Sequence, residues 1–142
     1  MAAKLSHITI TKYTGRESLP VVLDDEMDPQ VGVTEQPEIY VIKVDGEPIG
    51  ICTTYNPTPY GVEVGIQIAP EFRGKGYGSA VMAAFSSYCL QELGFPKVHL
   101  KVLPYNLRAI RAYEKAGFKR CGKIVVDSVE FIKMEKGGIY HV

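Results

Sequence analysis

The order of its sequence patterns predicts an α/β (α+β) fold, with a mixed, mostly antiparallel central sheet of six to seven strands and helices on both faces of the sheet. Strand-like and helix-like segments follow one another in the order β, short helices, βββ, α, β, α, ββ along the 142 residues. A chain of this length can bury a core of its own, and no linker, repeat or low-complexity tract divides it. We therefore expect a single domain over residues 1–142.

Five strands are predicted before the C-terminal hairpin, from alternation and β-branched residues. They span residues 7–13, 38–44, 48–55, 62–68 and 97–103. Asp45-Gly46 predicts a tight turn, and the proline-rich residues 56–61 predict a loop. Two more strands are predicted within residues 118–136, around a turn at 126–128, and residues 14–37 leave room for one or two short helices.

Two longer helices are predicted. Residues 78–93 have helical spacing, with an apolar side formed by Val81, Met82, Phe85, Cys89 and Leu93. Gly94 follows where a glycine commonly ends a helix. Asn106 is a typical N-cap for a second helix that runs to about residue 116, where Gly117 ends it.

Composition excludes several classes of protein. No apolar run approaches the roughly 20 residues of a membrane span, and the N-terminus lacks the apolar stretch of a signal peptide. No Cys/His spacing predicts a metal site, and basic residues do not cluster with aromatics as in nucleic-acid binding. The odd number of cysteines, Cys52, Cys89 and Cys121, predicts reduced thiols in a cytoplasmic protein, as small core residues rather than nucleophiles.

Charge is divided unevenly along the chain, although the net charge is zero. Residues 1–72 contain 4 Lys and Arg against 11 Asp and Glu, whereas residues 73–142 contain 12 against 5. The basic half suits a polyanionic cofactor, and the acidic half suits a cationic second substrate. Two solvated faces of opposite charge are the alternative explanation.

A glycine-rich turn joins the strand at 62–68 to the helix at 78–93. Gly74, Gly76 and Gly78 alternate where the helix begins, so backbone N–H groups can converge without obstruction by Cβ atoms. A helix N-terminus adds unpaired donors and positive potential, and Arg73 and Lys75 add positive charge. The turn predicts a phosphate or pyrophosphate site. A tight strand-to-helix turn without a ligand is the alternative.

The second helix carries another candidate pair. Asn106 and Tyr113 are two helical turns apart and lie near one face. Asn106 can cap the helix and offer its amide to a ligand, and Tyr113 can place a hydroxyl at the rim of the sheet. A plain N-cap and a packing aromatic are the alternatives.

Together these two segments resemble the GNAT superfamily of acetyl-CoA-dependent N-acetyltransferases. Residues 73–78 look like its R/Q-x-x-G-x-G/A motif, and residues 106–118 look like its N-x-x-A-x-x-x-Y-E-K-x-G-F signature. The resemblance covers roughly residues 38–135. The second segment and residues 46–50 are also similar to aminoglycoside N-acetyltransferases, but these pieces recur in other members, so no acceptor follows from them.

The resemblance implies a donor site for acetyl-CoA and no metal. Backbone groups of Ile66, Gln67 and Ile68 would hydrogen-bond the pantetheine arm, with the Ile68 N–H polarising the thioester carbonyl. Asn106 would contact the cofactor near its thiol, and Tyr113 would protonate the departing thiolate. The pyrophosphate would bind at the turn formed by Arg73, Gly74, Lys75, Gly76, Tyr77, Gly78 and Ser79.

The general base departs from the family pattern. Many members place Glu or Asp five residues before the asparagine, where this chain has Lys101. Glu63 is the candidate we favour, since an alkylammonium must lose a proton before it attacks; an exposed strand carboxylate is the alternative. His99 is a possible relay or a packing residue, and Glu38, Tyr40 and Glu130 are weaker candidates.

We therefore expect direct acetyl transfer to the primary amine of a small cationic molecule. Residues 24–28 (DDEMD) would attract such a molecule, and a solvated acidic loop is the alternative. A protein N-terminal or lysine acetyltransferase and a non-catalytic acyl-CoA-binding module are the alternatives. We expect neither a nucleic acid nor a membrane as a partner. The C-terminal strands are the expected surface for a homodimer, should one form.

Overall fold

A computed structural model describes residues 3–5, 7–16 and 37–137, which form one eight-stranded sheet and two α-helices. The strands are β1 (Ala3–Leu5), β2 (Ile8–Lys12), β3 (Glu38–Val44), β4 (Glu47–Thr58), β5 (Gly61–Ile68), β6 (Lys97–Val102), β7 (Lys119–Val126) and β8 (Val129–Gly137). The helices are α1 (Tyr77–Gln91) and α2 (Leu107–Lys115), and Pro70–Phe72 forms one turn of 3-10 helix.

The strands lie in the order β1-β2-β3-β4-β5-β6-β8-β7. Every neighbouring pair is antiparallel except β5 and β6, which are parallel and are joined through α1. This confirms the predicted mixed, mostly antiparallel sheet. The sheet has one strand more than the six to seven expected, because β1 is a three-residue strand that pairs with β2 and is too short to show alternation.

The hairpin between β3 and β4 forms at the predicted turn, where Asp45 and Gly46 both have positive φ. The predicted loop at residues 56–61 is wrong over most of its length, because β4 continues to Thr58, which pairs with Gly61. A register irregularity after Tyr55 absorbs the intervening residues. Pro57 is tolerated there because, among the described residues, β3 pairs with β4 only as far as Thr54, so none of them on that side requires the N–H that proline lacks.

Helix α1 packs its apolar side into the core as predicted, with Val81, Met82, Phe85 and Cys89 buried. The inclusion of Leu93 in that side is wrong, since Leu93 is 41% exposed. Leu93 would continue the apolar side only if the helix extended to it, and α1 ends at Gln91.

Helix α2 is capped as predicted. The Asn106 side chain accepts a hydrogen bond from the Ala109 N–H, and the chain turns away at Gly117, whose φ is 101°. Neither α1 nor α2, the helices within the described residues, has the length and apolarity needed to cross a bilayer.

Both helices pack on the same face of the sheet. The Lys136 ammonium of β8 donates hydrogen bonds to the Ser86 hydroxyl of α1 and to the Ala116 carbonyl at the end of α2. Burial lowers the pKa of this ammonium group. The one or two short helices predicted within residues 14–37 lie almost wholly outside the described residues, so a helix on the second face stays a prediction.

The three cysteines differ in environment. Cys52 and Cys89 are buried, as predicted, and burial raises the pKa of both thiols, that of Cys89 to about 12. A thiol with so high a pKa is a poor nucleophile at neutral pH. The prediction that Cys121 is a core residue is wrong, because it lies on β7, the exposed edge strand.

Candidate functional site

The parallel strands β5 and β6 separate at the place where the glycine turn follows. β5 pairs with β4 along its length to Ile68, but with β6 only at Val62 and Glu63. Residues 64–68 therefore have a β4 partner on one side and no β6 partner on the other. The result is a V-shaped opening whose vertex is the Glu63–His99 pair.

The backbone of Ile66 and Ile68 faces into this opening. The Ala69 N–H donates to the Ile49 carbonyl at 2.8 Å, which makes Ile68 and Gly50 a non-hydrogen-bonded pair of the antiparallel ladder. The N–H and C=O groups of Ile68, and by alternation those of Ile66, therefore point away from β4. One of them is occupied, because the Arg73 Nε donates to the Ile68 carbonyl at 2.9 Å.

Gly50 allows the end of β5 to approach β4 this closely. A Cβ atom at this position would clash with the Gln67 carbonyl oxygen, and the backbone would have to move to relieve the contact. Any side chain at Gly50 would therefore displace the edge that carries Ile66 and Ile68. Gly50 belongs to the segment noted for its resemblance, but only the tertiary contact gives the reason for glycine.

The glycine turn adopts the conformation that its residues predict. Gly74 and Gly76 have φ values of 77° and 82°, in the left-handed region, and Gly76 is the N-cap of α1 without any side-chain cap. The first N–H groups of α1 are therefore available to a ligand. No atom outside the turn lies within 4 Å of the Cβ positions that Gly76 and Gly78 would have.

A cleft of about 780 Å³ lies between the open edge of β5, the start of α1 and one side of α2. All of the predicted cofactor residues except Lys75 line it, and Tyr113 lines it as well. Tyr113 is 6% exposed and packs edge-on to Phe118, with ring centroids 6.3 Å apart. The structure thus brings together two sequence motifs that lie about 30 residues apart.

Lys75 does not line the cleft. Its ammonium lies 5.9 Å from the centre of the Phe72 ring, and it is Phe72 that reaches the cleft wall. The cationic residues that line the cleft are Arg73, Arg108, Arg111 and Lys115, and no Asp or Glu is among the described lining residues.

Arg108, Arg111 and Lys115, the three cations of α2, were not predicted as site residues. Their spacing in the sequence would have predicted a shared face: positions 108, 111 and 115 recur at helical spacing, on the side of α2 away from the buried Ile110. The Arg108 guanidinium reaches the turn itself, since its Nη2 lies 2.7 Å from where a Cβ of Gly74 would be.

Glu63 lies at the vertex of the V and not on the cleft wall. Its side chain points to the face opposite α1, because its neighbours Val62 and Val64 belong to the core beneath the helix. There it forms an ion pair with the Lys101 ammonium and accepts a 3.4 Å hydrogen bond from the Asn56 amide. The alternative of an exposed strand carboxylate is wrong, since Glu63 is 8% exposed.

His99 is paired in register with Glu63 and is partly buried. Burial lowers the pKa of its imidazole, and the nearby Lys133 and Lys101 charges act in the same direction against those of Glu63 and Glu135. His99 is therefore biased towards the neutral form near pH 7.

The weaker candidates lie outside the cleft. Glu38 is exposed and forms an ion pair with Lys12, and Glu130 does so with Lys123 on the outer hairpin. Tyr40 is buried in the core, and burial raises the pKa of its phenol well above the usual range. The acidic residues 24–28 lie outside the described residues. Within the ranges that are described, no three His, Cys, Asp or Glu residues converge as they would around a metal ion.

A sequence model of the Acetyltransferase (GNAT) family matches residues 5–118. The aminoglycoside N(6')-acetyltransferase type 1 of Klebsiella pneumoniae is 30% identical over 135 residues, which cover 84% of this chain and 66% of the relative. The spermidine N(1)-acetyltransferase of Escherichia coli K12 is 31% identical over 88 residues, which cover 61% of this chain and 47% of the relative.

Solved structures agree with these relatives. Aminoglycoside acetyltransferase AAC(6')-Ib in complex with acetyl-CoA and an aminoglycoside superposes with a TM-score of 0.66 at 27% identity, over 71% of this chain and 64% of that one. The same enzyme with coenzyme A and kanamycin gives 0.65 at 27% identity, over 71% and 66%. The chain thus matches slightly less than two thirds of the length of the aminoglycoside acetyltransferases, and about half of the length of the spermidine acetyltransferase.

Proposed function

Since the chain belongs to the acetyltransferase (GNAT) family, we propose that it transfers the acetyl group of acetyl-CoA directly to a primary amine of a small cationic molecule. The observation that carries the proposal is the unpaired edge of β5 leading into the glycine turn. Such an edge can hydrogen-bond an extended arm as an added strand would, and the turn that follows can hold a phosphate.

The donor would lie along this edge. The N–H and C=O groups of Ile66 and the N–H of Ile68 point away from β4, and they would bind the amides of the pantetheine arm and the thioester carbonyl. The N–H groups of Gly76, Tyr77, Gly78 and Ser79 would bind the pyrophosphate at the start of α1, which has no side-chain cap. Asn106 lines the same cleft from the start of α2.

The chemical step requires two proton transfers besides attack on the carbonyl. The amine nitrogen bonds to the thioester carbon, and negative charge develops on the carbonyl oxygen, where the fixed Ile68 N–H would stabilise it. The carbon–sulfur bond then breaks, and Tyr113 would give its hydroxyl proton to the leaving thiolate. Its position, buried yet lining the cleft, supports this role.

Glu63 remains our proposed base for the amine. It lies where the V closes, five residues along β5 from Ile68. Its carboxylate, paired with Lys101 and bonded by the Asn56 amide, would accept the proton from the ammonium through water.

The acceptor class rests on the relatives and on charge. The named relatives act on aminoglycosides or spermidine, which carry several amines, and the N-terminal half of this chain is acidic. The buried, unbridged thiols support a cytoplasmic location. The exposed edge strand β7 would be the surface for a homodimer.

The decisive experiment measures CoA release from acetyl-CoA with a panel of polyamines and aminoglycosides, beside peptides with free N-termini or lysines. We expect turnover with cationic small molecules and none with peptides. Acetylated peptides detected by mass, together with no reaction on small amines, would instead favour a protein acetyltransferase. Tight CoA binding with no turnover on either panel would favour a binding module.

A further inference from the structure

One side of α2 presents a row of cations to the cleft. Arg108, Arg111 and Lys115 all line it. At 100° per residue these positions lie within about 60° of one another around the helix axis. Arg111 and Lys115 lie about 4.5 and 10.5 Å along the axis from Arg108, at 1.5 Å per residue.

Among the described residues these three cations have no acidic partner, in contrast to five cations elsewhere in the chain. Lys12, Lys97, Lys101, Arg120 and Lys123 each form an ion pair with a glutamate. Within residues 3–5, 7–16 and 37–137, no ion pair involves Arg108, Arg111 or Lys115. Glu114, the acidic residue of α2, pairs instead with Arg120 of β7.

The row has two parts. Arg108 lies against Gly74 and therefore belongs to the turn where the pyrophosphate would bind. Arg111 and Lys115 lie one and two helical turns further on and make no such contact. They form a second cationic position on the cleft wall, separated from the first along α2.

We propose that Arg111 and Lys115 bind the 3'-phosphate of CoA, and so select the phosphorylated cofactor over its dephospho form. The inference rests on the proposed function, which puts the pyrophosphate at the turn. The 3'-phosphate is joined to the ribose next to the pyrophosphate and carries up to two charges. A guanidinium can bind it through two parallel hydrogen bonds, and an ammonium adds a point charge.

The test is calorimetric titration of the whole chain with CoA and with 3'-dephospho-CoA. The wild type should bind CoA at least about tenfold more tightly, as expected for charge-assisted hydrogen bonds. In the variant Arg111→Gln/Lys115→Gln, affinity for CoA should fall to that for dephospho-CoA, while dephospho-CoA binding changes less than about twofold. Arg108→Gln should weaken both ligands by a similar factor.

Arg120→Gln is the matched control, since it removes a cation outside the cleft and should leave both affinities unchanged. An equal loss for both ligands in Arg111→Gln/Lys115→Gln, or an unchanged preference for CoA, would overturn the inference. Gly76→Val should abolish binding of both ligands. If the wild type itself binds neither, the proposed function fails rather than this subsite.

Discussion

The two faces of the sheet at the β5–β6 opening differ in whether their charged side chains are paired. On the helix side, three cations of α2 line the cleft without an acidic partner among the described residues. On the other side, Glu63 and Lys101 neutralise each other with about a tenth of each side chain exposed, and Lys97 pairs with Glu135. Unpaired cations around a concave surface indicate an anionic ligand, whereas a buried ion pair is satisfied within the protein.

The difference implies that substitutions on the two sides should affect different measurements. Changes on the cleft side should alter cofactor affinity or turnover and leave the fold intact. Changes at the ion pair should first alter the free energy of unfolding. The following variants test that separation, from the largest expected effect to the smallest.

Tyr113→Phe should lower kcat by about 100- to 1,000-fold, the usual contribution of a positioned general acid. The phenylalanine ring keeps the packing on Phe118, so CoA affinity and the unfolding transition should stay close to wild type. Steady-state kinetics and CoA titration measure the two quantities. An unchanged kcat would remove Tyr113 as the acid.

Lys101→Met should lower the free energy of unfolding by about 3–5 kcal/mol, because it leaves a buried carboxylate without its cation. Lys97→Met is the matched control on the same strand and face. Its ion pair with Glu135 is about a third exposed, so the loss should stay below about 1 kcal/mol. Equal losses in urea titrations of the two variants would contradict the contrast.

The double variant Glu63→Gln/Lys101→Met tests whether Glu63 has a catalytic role besides its structural one. It removes both charges, and we expect it to regain most of the stability lost in Lys101→Met. If Glu63 is the base, the stable double variant should still have a kcat about 100-fold below wild type at neutral pH. Recovery of stability together with full turnover would make the pair purely structural.

Gly78→Ala should separate ligand approach from backbone strain. Gly78 is helical, and its Cβ position is open, so alanine should leave the fold intact or stabilise it by about 0.5–1 kcal/mol. The added methyl group should nevertheless weaken CoA binding by roughly tenfold, because backbone N–H groups at a phosphate site need close approach. Unaltered affinity would place the pyrophosphate away from Gly78.

The smallest effect concerns pH. Because burial lowers the pKa of His99 below its ordinary value of 6.5, the unfolded chain binds more protons between the two pKa values. Titration of His99 therefore does not lower the free energy of unfolding above pH 6.5. This free energy should decrease as the pH falls from 6.5 towards the lower pKa of the folded state. His99→Gln should flatten this part of the profile in unfolding titrations. A wild type without such a slope would contradict the burial effect.

Features that depend on a few consecutive residues were predictable. The Asn106 cap, the Asp45-Gly46 turn and the glycine turn each follow from the conformations open to their own residues. Where a partner far along the chain decides the outcome, the prediction was wrong or missing. Glu63 was weighed as an exposed carboxylate because Lys101, 38 residues away, becomes its neighbour only across the sheet.

Leu93 and Cys121 illustrate the same limit for burial. Helical spacing placed Leu93 on the apolar side of α1, but the helix ends at Gln91. Cys121 is apolar enough for a core, but its strand became the edge of the sheet. Position within the sheet is set by pairing among all the strands, which local patterns do not encode.

The sequence by itself determined the family, the strand and helix types and the turn at the start of α1, because each rests on local backbone preferences or on contiguous motifs. The tertiary structure alone decided that β5 leaves β6 after Glu63, that Arg108 contacts Gly74, and that the cations of α2 face a cleft. These depend on contacts between residues far apart in the chain, which form only when the sheet and both helices pack together.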